Sequence, residues 1–375
     1  MNRLIIVGNG FDLAHEMKTD YVSFVKNYIK ASFLFAKNNQ RFEDEVMTIK
    51  KQRGWNSQIN VETIENLSEF KVFLSPQKSA AQYIFGGNED YNDSIPDHEF
   101  RWQIKNSFIE HLFTKCFDLT WVDIENEYYI ELKRILALKD KAEKNKEVLQ
   151  LNLAFRHIIS ILEKYLLSLK PATVNSEYYH LIEEEIKMNE LVEGLIGMNV
   201  IPQRTLILNF NYTKTITDYV KNSPKSYDMN KFAVINIHGQ LNDASNPIIF
   251  GFGDELDKSY QDIEEEKVNG FLNYIKSFWY LKTSNYFDLI KFIDSSIFQV
   301  FILGHSCGLS DRTMLNMIFE HNNCRSIKIF YHKTEQGDNY EKLTQEISRH
   351  FFNKGEMRKK IISFDKSSAM PQLKD

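Results

Sequence analysis

Leu4-Ile5-Ile6-Val7-Gly8-Asn9-Gly10-Phe11-Asp12-Leu13 is the stretch that decides the fold. Four apolar residues in a row, without alternation, mark a strand buried on both faces, as a parallel sheet requires. Gly8-Asn9-Gly10 breaks the run. Phe11-Asp12-Leu13-Ala14-His15 then opens a helix, with Asp12 placed to cap it. The unit is strand, glycine turn, helix.

Working outward, the same order returns after Pro202. Thr205–Leu208 is a short apolar strand followed by Asn209-Phe210-Asn211-Tyr212, and Phe232–Ile237 ends at His238-Gly239. Ile297–Leu303 leads into Gly304-His305-Ser306-Cys307-Gly308 and a helix from Asp311. Pro247–Phe250, Ser326–Tyr331 and Lys360–Phe364 read as further strands. Phe271–Ile293 and Asn339–Phe352 read as helices, and Asp254–Lys267 as an acidic loop. Strands alternating with helices predict an α/β fold: a Rossmann-like, mostly parallel sheet with helices on both faces.

Residues 20–199 interrupt this pattern with mainly helical spacing, at Tyr21–Ala36, Phe100–Phe117, Thr120–Leu138, Val148–Leu169 and Glu177 to about Leu195. Asn56–Asp97 is less regular, with a loop at Gly86-Gly87-Asn88, and the charge-rich Lys139–Glu147 reads as a solvated loop. The expected organisation is a core of residues 1–19 and 200–375 with a helical insertion at 20–199.

Composition narrows the class. The chain has 375 residues, 43% hydrophobic and 13% aromatic, with 15 Gly and 7 Pro, which excludes collagenous and wholly disordered chains. Its 46 basic and 51 acidic residues give a net charge of −5, so no basic excess points to nucleic acid or an anionic membrane. No apolar run approaches the ~20 residues of a membrane span. Cys116, Cys307 and Cys324 lie far apart and form no C-x-x-C pair, which fits a reducing cytoplasm and predicts no structural zinc.

Ligands of open parallel sheets bind beyond the carboxyl ends of the strands. Four polar clusters fall at such ends: Gly8 to Asp12, Asn209 to Tyr212, His238-Gly239, and Gly304 to Ser306. Gly8 and Gly10 would let backbone amides approach a phosphate, although Leu13 replaces the third glycine of G-x-G-x-x-G. The same residues also suit a plain tight turn, and Asp12 repels phosphate. Asn211 offers a donor and an acceptor for ribose hydroxyls or a water, or makes an Asx turn. His238 suits general-base work or a structural hydrogen bond. Asp311 is a site residue or a helix cap, Glu125 a cleft acid or surface charge, and His15 a cleft or packing residue.

The blocks LIIVGNGFDLAHEMKTDYVSF, LILNFNYTKTI, INIHGQLND, PIIFGFGDE and FILGHSCGLSDRTML resemble, in the same order, those of the AbiH family of bacterial abortive-infection proteins acting against bacteriophage. A more distant resemblance is to sirtuin-like NAD-consuming domains. Those have a Gly-x-Gly opening, a T-T-N-Y-D block, a strand ending His-Gly, and a G-Y-S-x-x-D block. Here these are Gly8-Asn9-Gly10, Asn209-Phe210-Asn211-Tyr212-Thr213, His238-Gly239, and Gly304-His305-Ser306 with Asp311. Thr213 stands in place of that block's Asp, and Asp12 is added.

The resemblance implies a phage-defence effector that binds NAD or a related nucleotide, with NAD hydrolysis as the activity and no metal. Asn211 and His238 would be catalytic. Gly8, Asn9, Gly10, Phe11, Asp12, Gly304, His305, Ser306 and Asp311 would bind the cofactor. The zinc cysteines of deacetylating sirtuins have no counterpart. The alternative is a non-enzymatic nucleotide-sensing or partner-binding component of a defence system. Expected partners are a small-molecule nucleotide and, further, a second copy of the chain or a phage-derived trigger; membrane and nucleic acid are not expected. Gly8, Asn211, His238 and Gly304 should meet at one edge of one sheet, with Glu125 facing it.

Overall fold

Every residue from Asn2 to Val7 is buried, because this strand lies inside a six-stranded sheet with a parallel neighbour on each side. The computed structural model describes residues 1–51, 100–116, 118–192, 199–222 and 231–373. The irregular segment expected at Asn56–Asp97 lies outside the described residues. In chain order the strands are β1 (Asn2–Val7), β2 (Arg41–Glu43), β3 (Met47–Lys51), β4 (Phe100–Ile104), β5 (Thr205–Asn209), β6 (Phe232–Asn236), β7 (Phe298–Leu303), β8 (Cys324–Tyr331), β9 (Lys333–Thr334), β10 (Gly337–Asp338) and β11 (Ser368–Ala369).

The chain divides into two compact units. One holds Met1–Thr19, Glu125–Ala137 and Leu169–Asp375; the other holds Asp20–Ile124 and Leu138–Ser168. The sequence places the boundary differently, at 20 and 199. Glu125–Ala137 and the chain from Leu169 on belong with the sheet for a physical reason. Tyr129 stacks on Phe252 at 3.7 Å, and Tyr178, Leu181 and Ile182 bury themselves against β1, β5 and β7.

The first unit carries the sheet, in the order β11-β8-β7-β1-β5-β6, with all pairings parallel. Read from β6 by chain position, this is 3-2-1-4-5-6, the order of doubly wound dinucleotide folds, with its switch point between β1 and β7. Leu4, Ile6, Leu206, Leu208, Val300 and Ile302 face helices Asn285–Ser295, Arg312–Phe319 and Tyr340–Ser348. Ile5, Val7, Ile207, Phe301 and Leu303 face Phe11 and helices Glu177–Ile182 and Thr215–Lys221. Both faces are covered, so the strands are mainly apolar.

At the amino ends of the strands this second face turns polar. Arg3, Gln299 and Ser326 are buried there in cross-strand register, Lys328 is buried two residues further along β8, and Glu184 and Glu190 supply the opposite charge. Lys328 Nζ lies 2.8 Å from Glu190, and Gln299 Nε2 donates to Glu190 at 3.0 Å.

Several elements differ from the sequence reading. Pro247–Phe250 forms no strand, because Pro247 has no N–H to give. Lys360–Phe364 makes only one bridge, Ile327 to Ile361; the last strand is β11. Phe271–Ile293 is broken into helices Lys276–Tyr280 and Asn285–Ser295, with the polar Thr283-Ser284 between them. Asp254–Lys267 holds a short helix, Tyr260–Glu265, anchored by buried Tyr260 and Ile263. Among the described residues no helix is long and apolar enough to cross a membrane.

The second unit is less helical than its spacing suggests. β2, β3 and β4 form an antiparallel sheet, and Phe100, Trp102 and Ile104 alternate along β4 with strand period. The expected helix over Phe100–Phe117 is confined to Ser107–Thr114, capped by Asn106 Oδ1, which accepts from Phe108 and Ile109 N–H. Lys141–Ser168 is one helix, so most of the charged loop is its first turns. Asp140 Oδ1 accepts the Glu143 N–H at 2.7 Å and starts it.

The turn after β1 packs backbone to backbone on the turn after β7. Gly8 N–H donates to Leu303 O at 3.0 Å and Gly10 N–H to Gly304 O at 2.8 Å. A Cβ on Gly8 would lie 2.5 Å from His305 Cα, and one on Gly304, whose φ is +67°, would lie 2.2 Å from Phe11 N. Gly304→Ala is therefore expected to cost about 3 kcal/mol, from the left-handed conformation plus the overlap. Urea unfolding checks this; a loss below about 1 kcal/mol would mean the two turns separate easily.

Candidate functional site

Gly8, Asn211, His238 and Gly304 each follow the carboxyl end of a strand of the one sheet, β1, β5, β6 and β7 respectively. The side chains gather there into two groups.

The first group surrounds Asp12. Its carboxylate is buried and accepts from Thr213 Oγ1 at 2.7 Å, while its other oxygen has no partner. Burial raises its pKa to about 6, against the opposing hydrogen bonds of Thr213, Thr215 and Asn211. Asn211 Nδ2 donates to Gly8 O at 3.0 Å, and Asn209 Oδ1 accepts the Asn211 N–H at 3.1 Å. Asp12 and Thr213 are thus joined to each other. A hydroxyl opposite Asp12 avoids the second carboxylate that an Asp at 213 would bring.

The turn assigned to phosphate is already occupied by its own backbone. The amides of Gly8, Gly10 and Phe11 donate to Leu303, Gly304 and Gly8 carbonyls. Phe11's ring sits in the core against His15, Tyr178 and Tyr219. His15 is a packing residue: its ring bonds Phe11 O at 2.7 Å and Tyr219 Oη at 2.8 Å.

The second group is ionic. Lys276, wholly buried, donates to Asp311 Oδ1 at 2.7 Å, Glu125 Oε2 at 2.9 Å and Ser310 O at 3.3 Å. His238 Nε2 stands 3.1 Å from Asp311 Oδ1 and 3.1 Å from Tyr280 Oη, and His305 Nε2 stands 3.7 Å from Asp311 Oδ2. Phe210 sets its ring edge against both imidazoles, 4.8 Å from His238 and 4.3 Å from His305. The two groups separate Asn211 from His238: the first is tied to Gly8 and Asp12, the second to Asp311 and Tyr280.

Protonation follows from the partners. Burial works against ionised Asp311, yet Lys276 and the histidines hold its pKa far below the usual carboxylate range. Burial lowers the pKa of His238, as does Lys276, and takes His305 down to about 4. Both rings are then neutral near pH 7. Cys307 N–H donates to His305 Nδ1 at 3.0 Å, so that ring carries its proton on Nε2, toward Asp311. With its proton on Nε2, toward Asp311, His238 keeps a lone pair on Nδ1. This is how an acid orients a histidine base.

Cys307 itself holds a φ of +53°, uncommon for a side chain, with its carbonyl accepting from His350 Nε2 at 2.7 Å. Ser306, at the tip of that turn, is exposed. Among the described residues no set of three or more His, Cys, Asp or Glu side chains is placed to hold a metal; an ammonium, Lys276, fills the centre between the carboxylates.

Sequence reasoning named Glu125, His238, His305 and Asp311 but missed Lys276, Tyr280 and Ser310. Nothing around Asn273-Tyr274-Ile275-Lys276 marks that lysine as buried. Its signal is the glycine pair of PIIFGFGDE. The parallel bridge of Phe252 to Ile275 sets Gly251 beside Tyr274 and Gly253 beside Lys276; a Cβ on Gly251 would lie 2.1 Å from Tyr274 O and one on Gly253 3.2 Å from the Lys276 side chain.

The fold and site define a doubly wound α/β protein with a buried acid–base cluster beyond the carboxyl ends of its strands. Residues 4–333 match the family described as bacteriophage abortive infection AbiH, and the chain belongs to that family. No curated protein and no solved structure matches it.

Lys276→Met is expected to destabilise the fold by about 3–5 kcal/mol, because Asp311 and Glu125 would face each other without their cation. Glu125's pKa is raised by burial from 4.5 to about 7 in the folded chain, so the native state takes up a proton as pH falls through 7. That proton removes one of the two bare charges, and the loss should be smaller near about pH 5.5 than near about pH 8. Denaturant unfolding at both pH values is the check; equal losses would show that Glu125 does not titrate there.

Proposed function

We propose that this AbiH-family chain is an abortive-infection effector that binds NAD, or a nucleotide of the same build, beyond the carboxyl ends of β1, β5, β6 and β7. The reaction is hydrolysis of the N-glycosidic bond. The observation that carries the reading is the Asp311–His238 pair: a neutral imidazole held at 3.1 Å by an ionised acid, at the strand end of a sheet with dinucleotide-fold order. The bond from ribose C1′ to the pyridinium nitrogen breaks, and nicotinamide leaves as a neutral molecule with the bonding pair. Water adds to C1′, and its proton passes to His238 Nδ1. Asn211 holds a ribose hydroxyl and braces the Gly8 turn. The leaving group needs no proton donor, and none of the ionised groups beside His238 is an uncompensated cation.

The closure of the site supports a second reading, nucleotide sensing without cleavage. The side chains of His238 and Asp311 are only 7% and 5% exposed, so a ligand must open the edge before it meets them.

Release of nicotinamide from NAD by the purified protein separates the two. His238→Ala is expected to slow release about 10²–10⁴-fold while the melting temperature stays near that of wild type. Asn211→Ala should also slow it. Cells protected from phage with their NAD level unchanged would overturn the hydrolase and leave the sensor.

A further inference from the structure

The Glu125 carboxylate is held by donors of two kinds. Gly251 N–H donates to Oε1 at 3.2 Å and Lys276 Nζ to Oε2 at 2.9 Å. A third donor has no use. The Ser310 hydroxyl is wholly buried and near enough to favour ionised Glu125, yet its Oγ makes no hydrogen bond. An orphaned buried hydroxyl requires an explanation.

The donors are rigidly set. Phe252 N–H donates to Tyr274 O and Lys276 N–H to Phe252 O, both at 2.9 Å, so one bridge fixes Gly251 and Lys276 together. Ser310 O accepts from Lys276 Nζ, which fixes the third residue against the same ammonium. Glu125, by contrast, arrives on a separate helix, Trp121–Leu136. It is also the weaker of the two counter-ions of Lys276. Asp311 is held firmly ionised, whereas burial and the charge of Asp311 both disfavour ionised Glu125.

A planar carboxylate satisfies two of the three donors. A tetrahedral phosphoryl group spreads its oxygens out of one plane and can meet all three. We propose that Gly251 N–H, Lys276 Nζ and Ser310 Oγ form an oxyanion cradle for one phosphoryl group of a nucleotide pyrophosphate, and that Glu125 occupies it as an internal stand-in until the ligand displaces it. Each phosphorus of a pyrophosphate diester carries one negative charge, as Glu125 does in its ionised form, the form present above about pH 7. The exchange therefore leaves the balance against Lys276 and Asp311 unchanged, while a doubly charged monoester would add repulsion from Asp311. The cradle also supplies donors that the Gly8–Phe11 turn does not have free. The natural ligand rests on the nucleotide reading above; the cradle rests on its donors alone.

The test needs no cleavage assay. Melting temperature is followed against dimethyl phosphate, tetrahedral and singly charged, and against acetate, planar and singly charged, at matched ionic strength. Glu125→Ala is expected to bind dimethyl phosphate about tenfold or more tighter than wild type, because the internal competitor is gone. Glu125→Gln, which keeps the side chain's volume and an acceptor for Gly251, should fall between them and gives the answer if the alanine variant does not fold. Adding Ser310→Ala should remove the preference for dimethyl phosphate over acetate, and adding Lys276→Met should remove the response. No gain in either Glu125 variant, or acetate equal to dimethyl phosphate in Glu125→Ala, overturns the cradle. A wild-type protein that releases no nicotinamide while these shifts hold strikes only the hydrolase.

Discussion

One ammonium group organises the carboxyl edge of the sheet. Lys276 Nζ, cut off from water, is held between Asp311 and Glu125, and no member of the three is tolerable there alone. Through Asp311 the lysine reaches His238, whose Nε2 stands 3.1 Å from that ionised acid. Through Glu125 and Gly251 it ties a helix and a loop to the start of the helix at Arg312. Remove the charge and the edge loses its chemistry and its packing together.

The glycine turn shows how a familiar pattern can serve a different constraint. Gly8 and Gly304 lack side chains because two turns touch through their backbones, and the amides that a phosphate would need already have carbonyl partners. The buried Asp12 belongs to the same arrangement. One of its oxygens accepts from Thr213 Oγ1, a hydroxyl rather than a second acid.

The sheet was legible where a strand is buried on both faces. Leu4–Val7, Leu206–Leu208 and Val300–Leu303 have no polar break, and the polar residues after them mark the edge. Legibility ended where an element depends on distant partners. β4 lies next to a true helix, and the two share one apolar stretch that either period fits. Pro247–Phe250 has strand-like residues but no partner strand. Glu125 and Asp311 were visible as acids; whether they were caps, surface charge or an ion pair depended on Lys276, far from both in sequence and unremarkable in its surroundings. The chain from Leu169 on groups with the sheet for a similar reason, because Tyr178 and its neighbours find their burial only against the finished sheet.

The position of β1 has a consequence for biogenesis. It leaves the ribosome before the other strands of its sheet, yet its neighbours are β5, about 200 residues later, and β7, about 300 later. At roughly 5–20 residues per second, an apolar strand with two open edges waits about 10–40 s for its first partner and longer for its second. During that wait all of Asp20–Ile124 and Leu138–Ser168 has been made and can settle into its own core. The long-range pairing makes closure of the sheet a late, slow event. Until then β1 exposes two unpaired strand edges, and truncated products ending before Thr205 should be insoluble rather than merely inactive.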